Sequence, residues 1–244
     1  MAKVEPEHFW FVSRNRILRD VLRNHCRLPS KILEIGCGTG FVLSGLRSMF
    51  PAAKLSASDI YFEGLKYAAK RVPDAFLFQM DARHIPFSAE FDLIGAFDVL
   101  EHIEDDEAVL SQLFQACKHD GWVALTVPQH RWLWSQVDDF AHHKRRYTRS
   151  ELLDKLETAG FHVEYTSSFV SLLLPLMLAS RRHRKTGTAI KEKMDAAGFG
   201  IGQLTNMVLS GVMMIECMLL RLGITFPAGG SLLVLASKKS EGAL

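Results

Sequence analysis

The residues best suited to chemistry are a glycine-spaced turn, two aspartates that end later apolar runs, and histidines in two separate segments. Gly36, Gly38 and Gly40 alternate with Cys37 and Thr39 directly after the apolar run Ile32–Ile35, which carries Glu34 within it. Glycines in such a turn permit positive φ and let a ligand lie against bare backbone. Asp59 and Asp81 end the later segments KLSASDI and AFLFQMDA. A carboxylate at the first of these, about twenty residues beyond the glycines, can accept both hydroxyls of a ribose. Asp59 could instead cap the helix that follows it, and Asp81 could serve a simple turn before Pro86. His102 closes the run Asp98-Val99-Leu100-Glu101-His102. Its ordinary pKa near neutrality suits a general base, although a histidine in that position can equally well bond only to backbone.

These residues need a parallel α/β sheet to bring them together. Ile32, Leu33 and Ile35 make a buried strand, and Phe41, Val42, Leu43 and Leu46 continue at helical spacing after the turn. Strand, glycine turn and helix open a ligand site at the carboxyl ends of the strands. A phosphate-binding P-loop would need Lys and Ser/Thr after the last glycine, where this chain has Phe41. A dinucleotide fingerprint would set its last glycine three places after the second, whereas Gly38 and Gly40 are two apart. Further strands are expected at Lys54–Ile60, Ala75–Ala82, Phe91–Val99, Gly121–Val127, Phe161–Val170 and Ser231–Ser237. Helices are expected within 8–28 and at Phe62–Arg71, Glu104–Lys118 and Thr148–Ala159. Phe91–Val99 is apolar on both faces, as a central parallel strand requires.

The stretch EIGCGTG at Glu34–Gly40 resembles the first motif of class I S-adenosylmethionine-dependent methyltransferases. Asp98–His102, DVLEH, is similar to the fourth motif of many small-molecule members. HFWFVSRNR at the N-terminus resembles the opening of a helix that caps their cofactor cleft. The resemblance covers about residues 8–170 and, more loosely, the last strand. It implies a doubly wound, mostly parallel seven-stranded α/β sheet with S-adenosylmethionine as cofactor. The cofactor set it implies is Arg14, Glu34, Gly36, Cys37, Gly38, Gly40, Asp59, Ile60, Asp81, Ala82, Asp98 and Val99. Arg14 would meet the carboxylate of the methionine moiety, unless it is merely solvated. HHKRRYT at 142–148 resembles a segment of methyltransferases in cell-envelope, lipid and secondary-metabolite pathways. His102 and His143 are the candidate bases, and Trp10, Trp134, His142, Arg145 and Tyr147 the candidate acceptor contacts. A salt-bridged, solvent-facing clamp is the competing reading of that charged segment. Asp138-Asp139 with His142-His143 also invites a metal. Adjacent residues rarely converge on one ion and no third spaced ligand follows, so none is expected.

At 244 residues, with 48% hydrophobic and 23% charged residues, the chain is long enough for one domain with a sizeable core. A net charge of +2 gives no reason to expect nucleic acid. The four cysteines are far apart and read as free thiols of a cytoplasmic protein, and no secretory signal is expected. Residues 171–229 interrupt the core before its last strand. Phe169–Ala179 is nearly all apolar, Arg181–Lys185 is basic, and Ile201–Leu222 is apolar almost all round at helical spacing. This insertion is expected to form a helical lid over an apolar or amphipathic small-molecule acceptor. Peripheral contact of 171–222 with the inner face of a membrane, or a homodimer, is a second use for it. Gln203, Asn206, Ser210, Glu216 and Arg221 argue against a membrane span. The reaction expected is methyl transfer to an oxygen or nitrogen, a carboxylate included. A nicotinamide-dependent oxidoreductase and a non-catalytic, membrane-associated cofactor-binding protein are the alternatives.

Overall fold

Short β-branched and aliphatic runs separated by glycine, proline and charged turns build the sheet. The computed structural model describes residues 2–26, 28–182 and 201–239. Its strands are β1 (Lys31–Ile35), β2 (Lys54–Asp59), β3 (Phe76–Gln79), β4 (Phe91–Phe97), β5 (Cys117–Pro128), β6 (His162–Phe169) and β7 (Ser231–Ser237). The helices are α1 (Phe9–His25), α2 (Phe41–Met49), α3 (Phe62–Arg71), α4 (Asp106–Ala116), α5 (Gln136–Phe140), α6 (Arg149–Thr158), α7 (Leu174–Arg182) and α8 (Gln203–Arg221). The sheet has seven strands in the order β3-β2-β1-β4-β5-β7-β6, with β7 antiparallel to both neighbours. The doubly wound, mostly parallel sheet expected from the motifs is therefore present.

Strand order reverses between β1 and β4, and ligands of open α/β sheets bind at the carboxyl ends beside such a reversal. Ile35 is level with Ser58 on one side and Ala96 on the other. This register sets the glycine turn, Asp59 and Asp98 side by side. One face of the sheet packs on α1, α2, α3 and α8 through residues such as Leu18, Leu43, Ala68 and Met213. The other packs on α4 and α6 through Leu110, Leu113, Leu152 and Leu156. The expected end of α4 at Lys118 and start of β5 at Gly121 both move. Cys117 is already buried against β4, and Lys118 donates to Asp92 at 2.6 Å, so the chain enters the sheet earlier.

Gly40 stands at the N-terminus of α2 with φ +75°. A Cβ there would lie 2.8 Å from Ala68 Cα, so α3 can approach the turn only because the residue is glycine. Gly40→Ala is expected to cost about 1–3 kcal/mol from backbone strain alone, with the clash adding to it. The denaturant midpoint is the measurement, and an unchanged value would show that the turn relaxes freely.

The insertion supplies α7 and α8. The buried apolar residues of α8, Met213, Cys217 and Leu220, join the cluster that includes Ile17, Val21 and Leu22 of α1. Asn206 at its start accepts from the Phe9 amide and donates to the Glu7 carbonyl. The buried Glu216 accepts from the amides of Ser171 and Leu172. The other side of α8 is apolar and open: Leu204, Met207, Val208, Ile215, Met218 and Leu222 are each more than half exposed. By length and composition α8 could cross a membrane, and only 22% of its apolar window is buried. His183–Gly200, including most of the basic run and Lys191–Lys193, lie outside the described residues.

Candidate active site

Strand ends and two loops assemble the site. The glycine turn is held by β2, since the Asp59 carboxylate accepts the Gly38 amide at 2.7 Å and the Tyr61 amide at 2.8 Å. Asp59 does not cap α3: the cap position is Tyr61 and no side chain bonds there. Two of the carboxylate's lone-pair sites are spent on this framework, and about two are left for ligand hydroxyls. Gly36 faces Val99, which a Cβ would strike, whereas Gly38 has open space where a side chain would stand. Cys37 is buried with its amide on the Ser58 carbonyl, and burial pushes its thiol pKa up. Ile60 is half exposed and Ala82 buried.

Arg14 is neither solvated nor idle. It is buried, pairs with Asp98, and sits with its guanidinium 4.5 Å from the centre of the Trp10 ring. Asp98 bears this contact from a left-handed backbone with φ +57°. Glu34, at the end of β1, is buried with Oε2 unpartnered, and burial pushes its pKa up to about 8 against the pull of Arg14. Asp81 is turned away onto Arg83, whose side-chain and backbone hydrogen bonds hold it down at about 2. An ion pair this open is weak and readily exchanged for another partner.

The segment after β5 leaves the sheet at Gln129 and returns beside it at Tyr147. In between, the Lys144 amide donates to the Glu101 carbonyl at 2.7 Å and ties the excursion to the DVLEH turn. That contact brings the two candidate bases together: the rings of His102 and His143 pack edge to face, with centroids 4.8 Å apart. His143 Nδ1 is 2.9 Å from Oδ1 of Asp138, which is fully buried. Arg146 donates to both oxygens of the same carboxylate. Burial opposes ionisation of Asp138, but its hydrogen bonds from His143 and Arg146 hold it far below the usual carboxylate range. Partial desolvation on its inward side, then the nearby His143, lowers the pKa of His102, although the residue keeps an exposed edge, and favours the neutral ring.

Two expected acceptor contacts are corrected. Tyr147 is completely buried in the core, and its hydroxyl donates to Asp106 at 2.7 Å, so it offers a ligand no surface. Arg145 is committed to Asp106 at 3.0 Å and to the Glu104 carbonyl. This half of the segment is the ion-paired clamp, since Lys155 of α6 closes on the same Asp106. His142 is exposed at φ +56°, and its ring takes no part in the edge-to-face contact of His102 with His143. Trp134 is half exposed, with its indole donating to Asp139.

Glu101 and Asp138 stand in the candidate site without being singled out by the sequence: Glu101 figures there only as part of DVLEH, and Asp138 as a metal ligand weighed and set aside. Glu101 is fully buried with both carboxyl oxygens unpartnered, and burial, reinforced by Asp98, drives its pKa well up. The available signal was a carboxylate placed directly after Val99-Leu100 in an otherwise apolar turn. The arrangement presents bare backbone and a carboxylate to a hydroxylated ligand, and carboxyl groups to a positive charge. A neutral imidazole stands at the far side of the turn.

A family model described as "Methyltransferase domain" matches residues 8–166. A protein of Mycolicibacterium smegmatis named as an S-adenosylmethionine-dependent methyltransferase is 27% identical over 66% of this chain and 62% of its own length. The chain thus spans less than two thirds of that relative. A trans-aconitate 2-methyltransferase of Azoarcus is 28% identical over 76% of this chain and 71% of its own. Among solved structures, a chain from a Haloferax volcanii complex of the Trm112 methyltransferase activator and a methyltransferase has the same fold. Its TM-score is 0.64 at 16% identity, over 98% of this chain and 93% of that one.

Proposed function

This chain belongs to the family of S-adenosylmethionine-dependent methyltransferases, and on that premise we propose that it methylates an oxygen or nitrogen of an amphipathic small molecule. Its cofactor, S-adenosylmethionine, supplies a methyl group on a positively charged sulfur. The site suits that molecule: open space at Gly38, a half-engaged Asp59 carboxylate, and an unpartnered carboxyl oxygen on Glu34. Asp59 would hold the ribose, the glycine turn would lie under the nucleoside, and Arg14 with Asp98 and Glu34 would meet the amino-acid end. Asp81 and Ala82 would meet the adenine after Asp81 exchanges its exposed partner Arg83. The family match leaves no support for the nicotinamide alternative.

The observation that carries the acceptor assignment is the His102–His143 pair, fixed from behind by Asp138 and set at the end of the DVLEH turn. Because the leaving group is already excellent, the protein's task is to hold the acceptor atom in line, roughly 3 Å from the methyl carbon. A hydroxyl or amine must also shed a proton, and the imidazole pair would engage that atom. A carboxylate would need no such help. Trans-aconitate, in the name of the Azoarcus relative, is a carboxylate and supports including that acceptor class. The apolar part of the acceptor would lie toward Trp10 and the insertion, and the bare face of α8 would rest on a membrane surface.

Purified protein supplied with methyl-labelled cofactor and a metabolite extract is expected to move label into a small organic product. Label confined to the cofactor would overturn the proposal. His143→Gln is expected to lower turnover of a hydroxyl or amine acceptor by about 100-fold, with cofactor affinity unchanged. Full activity in both His143→Gln and His102→Gln would remove the pair from the reaction.

A further inference from the structure

We propose that Glu101, His102 and His143 form an open site for a divalent transition-metal cation beside the acceptor. One ligand atom from each of the three lies within 4.8 Å of the other two. Ligands at about 2.0–2.2 Å from a shared cation stand roughly 3 Å apart, so modest side-chain rotations close the shell. His102 is exposed and His143 half-buried, which gives an ion a way in.

Two independent features point at a ligand other than the cofactor. The first is Glu101, which no cofactor contact proposed above requires. Its side chain is completely buried, yet neither carboxyl oxygen has a hydrogen-bond partner. A buried carboxyl in that state is costly, and a cation between it and two imidazoles removes the cost. The second is the outer support of the rings. Asp138 engages Nδ1 of His143, and the edge-to-face contact with His143 holds the ring of His102. Nδ1 of His143 is thereby committed and its Nε2 is left for a ligand. A carboxylate behind an imidazole is the usual outer shell of a metal-binding histidine.

Asp138 itself is not a ligand, because Arg146, His143 and the Ser135 amide take its oxygens. Arg14 and Arg146, the fixed positive charges that act on Glu101, are each tied to an aspartate. The metal arrangement therefore differs from the Asp138-Asp139/His142-His143 set considered from sequence. Two nitrogens and one carboxylate suit zinc, cobalt, manganese or iron better than calcium. Three protein ligands leave at least one position open, as in catalytic rather than structural sites. An acceptor oxygen could take it and be made more acidic there. This deepens the proposed function and rests on its placement of the acceptor. It assigns the activation to a cation that the two rings hold.

Chelator-stripped protein titrated with Co²⁺, followed by visible absorption, and with Zn²⁺, followed by calorimetry, tests the site directly. One equivalent per chain is expected, with binding weakened at least tenfold in both Glu101→Gln and His102→Ala. His102 is exposed, so the second variant keeps the test alive if the first fails to fold by circular dichroism. No saturable uptake, or equal affinity in wild type and a folded variant, would overturn the site. Labelled-methyl turnover with and without chelator separates the two proposals. Turnover indifferent to chelator in protein that binds no cation removes the metal and spares the methyltransferase. Specific cation binding without any methyl transfer does the reverse.

Discussion

Asp138→Asn is expected to lower the stability of the protein by about 3–5 kcal/mol, because it leaves the buried Arg146 guanidinium without its counter-ion. The wild-type carboxylate accepts from Nε and Nη2 of Arg146, from the Ser135 amide and from the His143 ring, and none of its surface is exposed. An amide of nearly the same shape preserves packing but presents an NH₂ group to one of those donors. The loss is therefore electrostatic rather than steric, and the denaturant midpoint at neutral pH measures it. Turnover is expected to fall about 10–100-fold in whatever fraction stays folded, since His143 loses the partner that sets its tautomer and tilt. An unchanged midpoint would show that the Gln129 carbonyl, to which Arg146 already donates at 3.1 Å, is enough to satisfy the buried guanidinium.

Asp59→Ala is expected to weaken S-adenosylhomocysteine binding by about 100-fold. Each charge-assisted hydrogen bond contributes about 1.5–3 kcal/mol, and the variant removes the carboxylate proposed for the ribose hydroxyls. It also releases the Gly38 amide, now held at 2.7 Å, so the turn loses its tie to β2. Calorimetry reads the affinity, and thermal unfolding of the ligand-free protein reads the second effect separately. Equal affinity in the variant would remove Asp59 from the nucleoside site. A drop in melting temperature with little change in affinity would reduce it to a brace for the turn.

Local pattern carried a reader far in this chain because its first half obeys strictly local rules. Ile32–Ile35, the alternating glycines and the helical spacing from Phe41 each state their structure within a few residues. β7 appears at Ser231–Ser237, as its apolar run indicates, although an insertion precedes it. The charged stretch Asp138–Tyr147 obeys no such rule. His143, Arg146 and Tyr147 lie within five positions, yet one faces the candidate site, one is a buried counter-ion and one is core. Which residue takes which part depends on the Lys144–Glu101 contact and on Asp106 of α4, both remote in sequence. Glu101 escaped for the same reason: its meaning lies in which partners it lacks.

The order of residues by itself determined the strand ends, the glycine turn and the succession of carboxylates, hence the family resemblance and its cofactor. A repeating backbone pattern is written into consecutive side chains, and parallel register then aligns the tips without further instruction. Only the tertiary structure decided which histidines meet, which aspartate stands behind them, that Tyr147 serves the core, and that α8 lies along α1. Burial and pairing of a charge are properties of what surrounds it, and here those surroundings come from segments far apart along the chain.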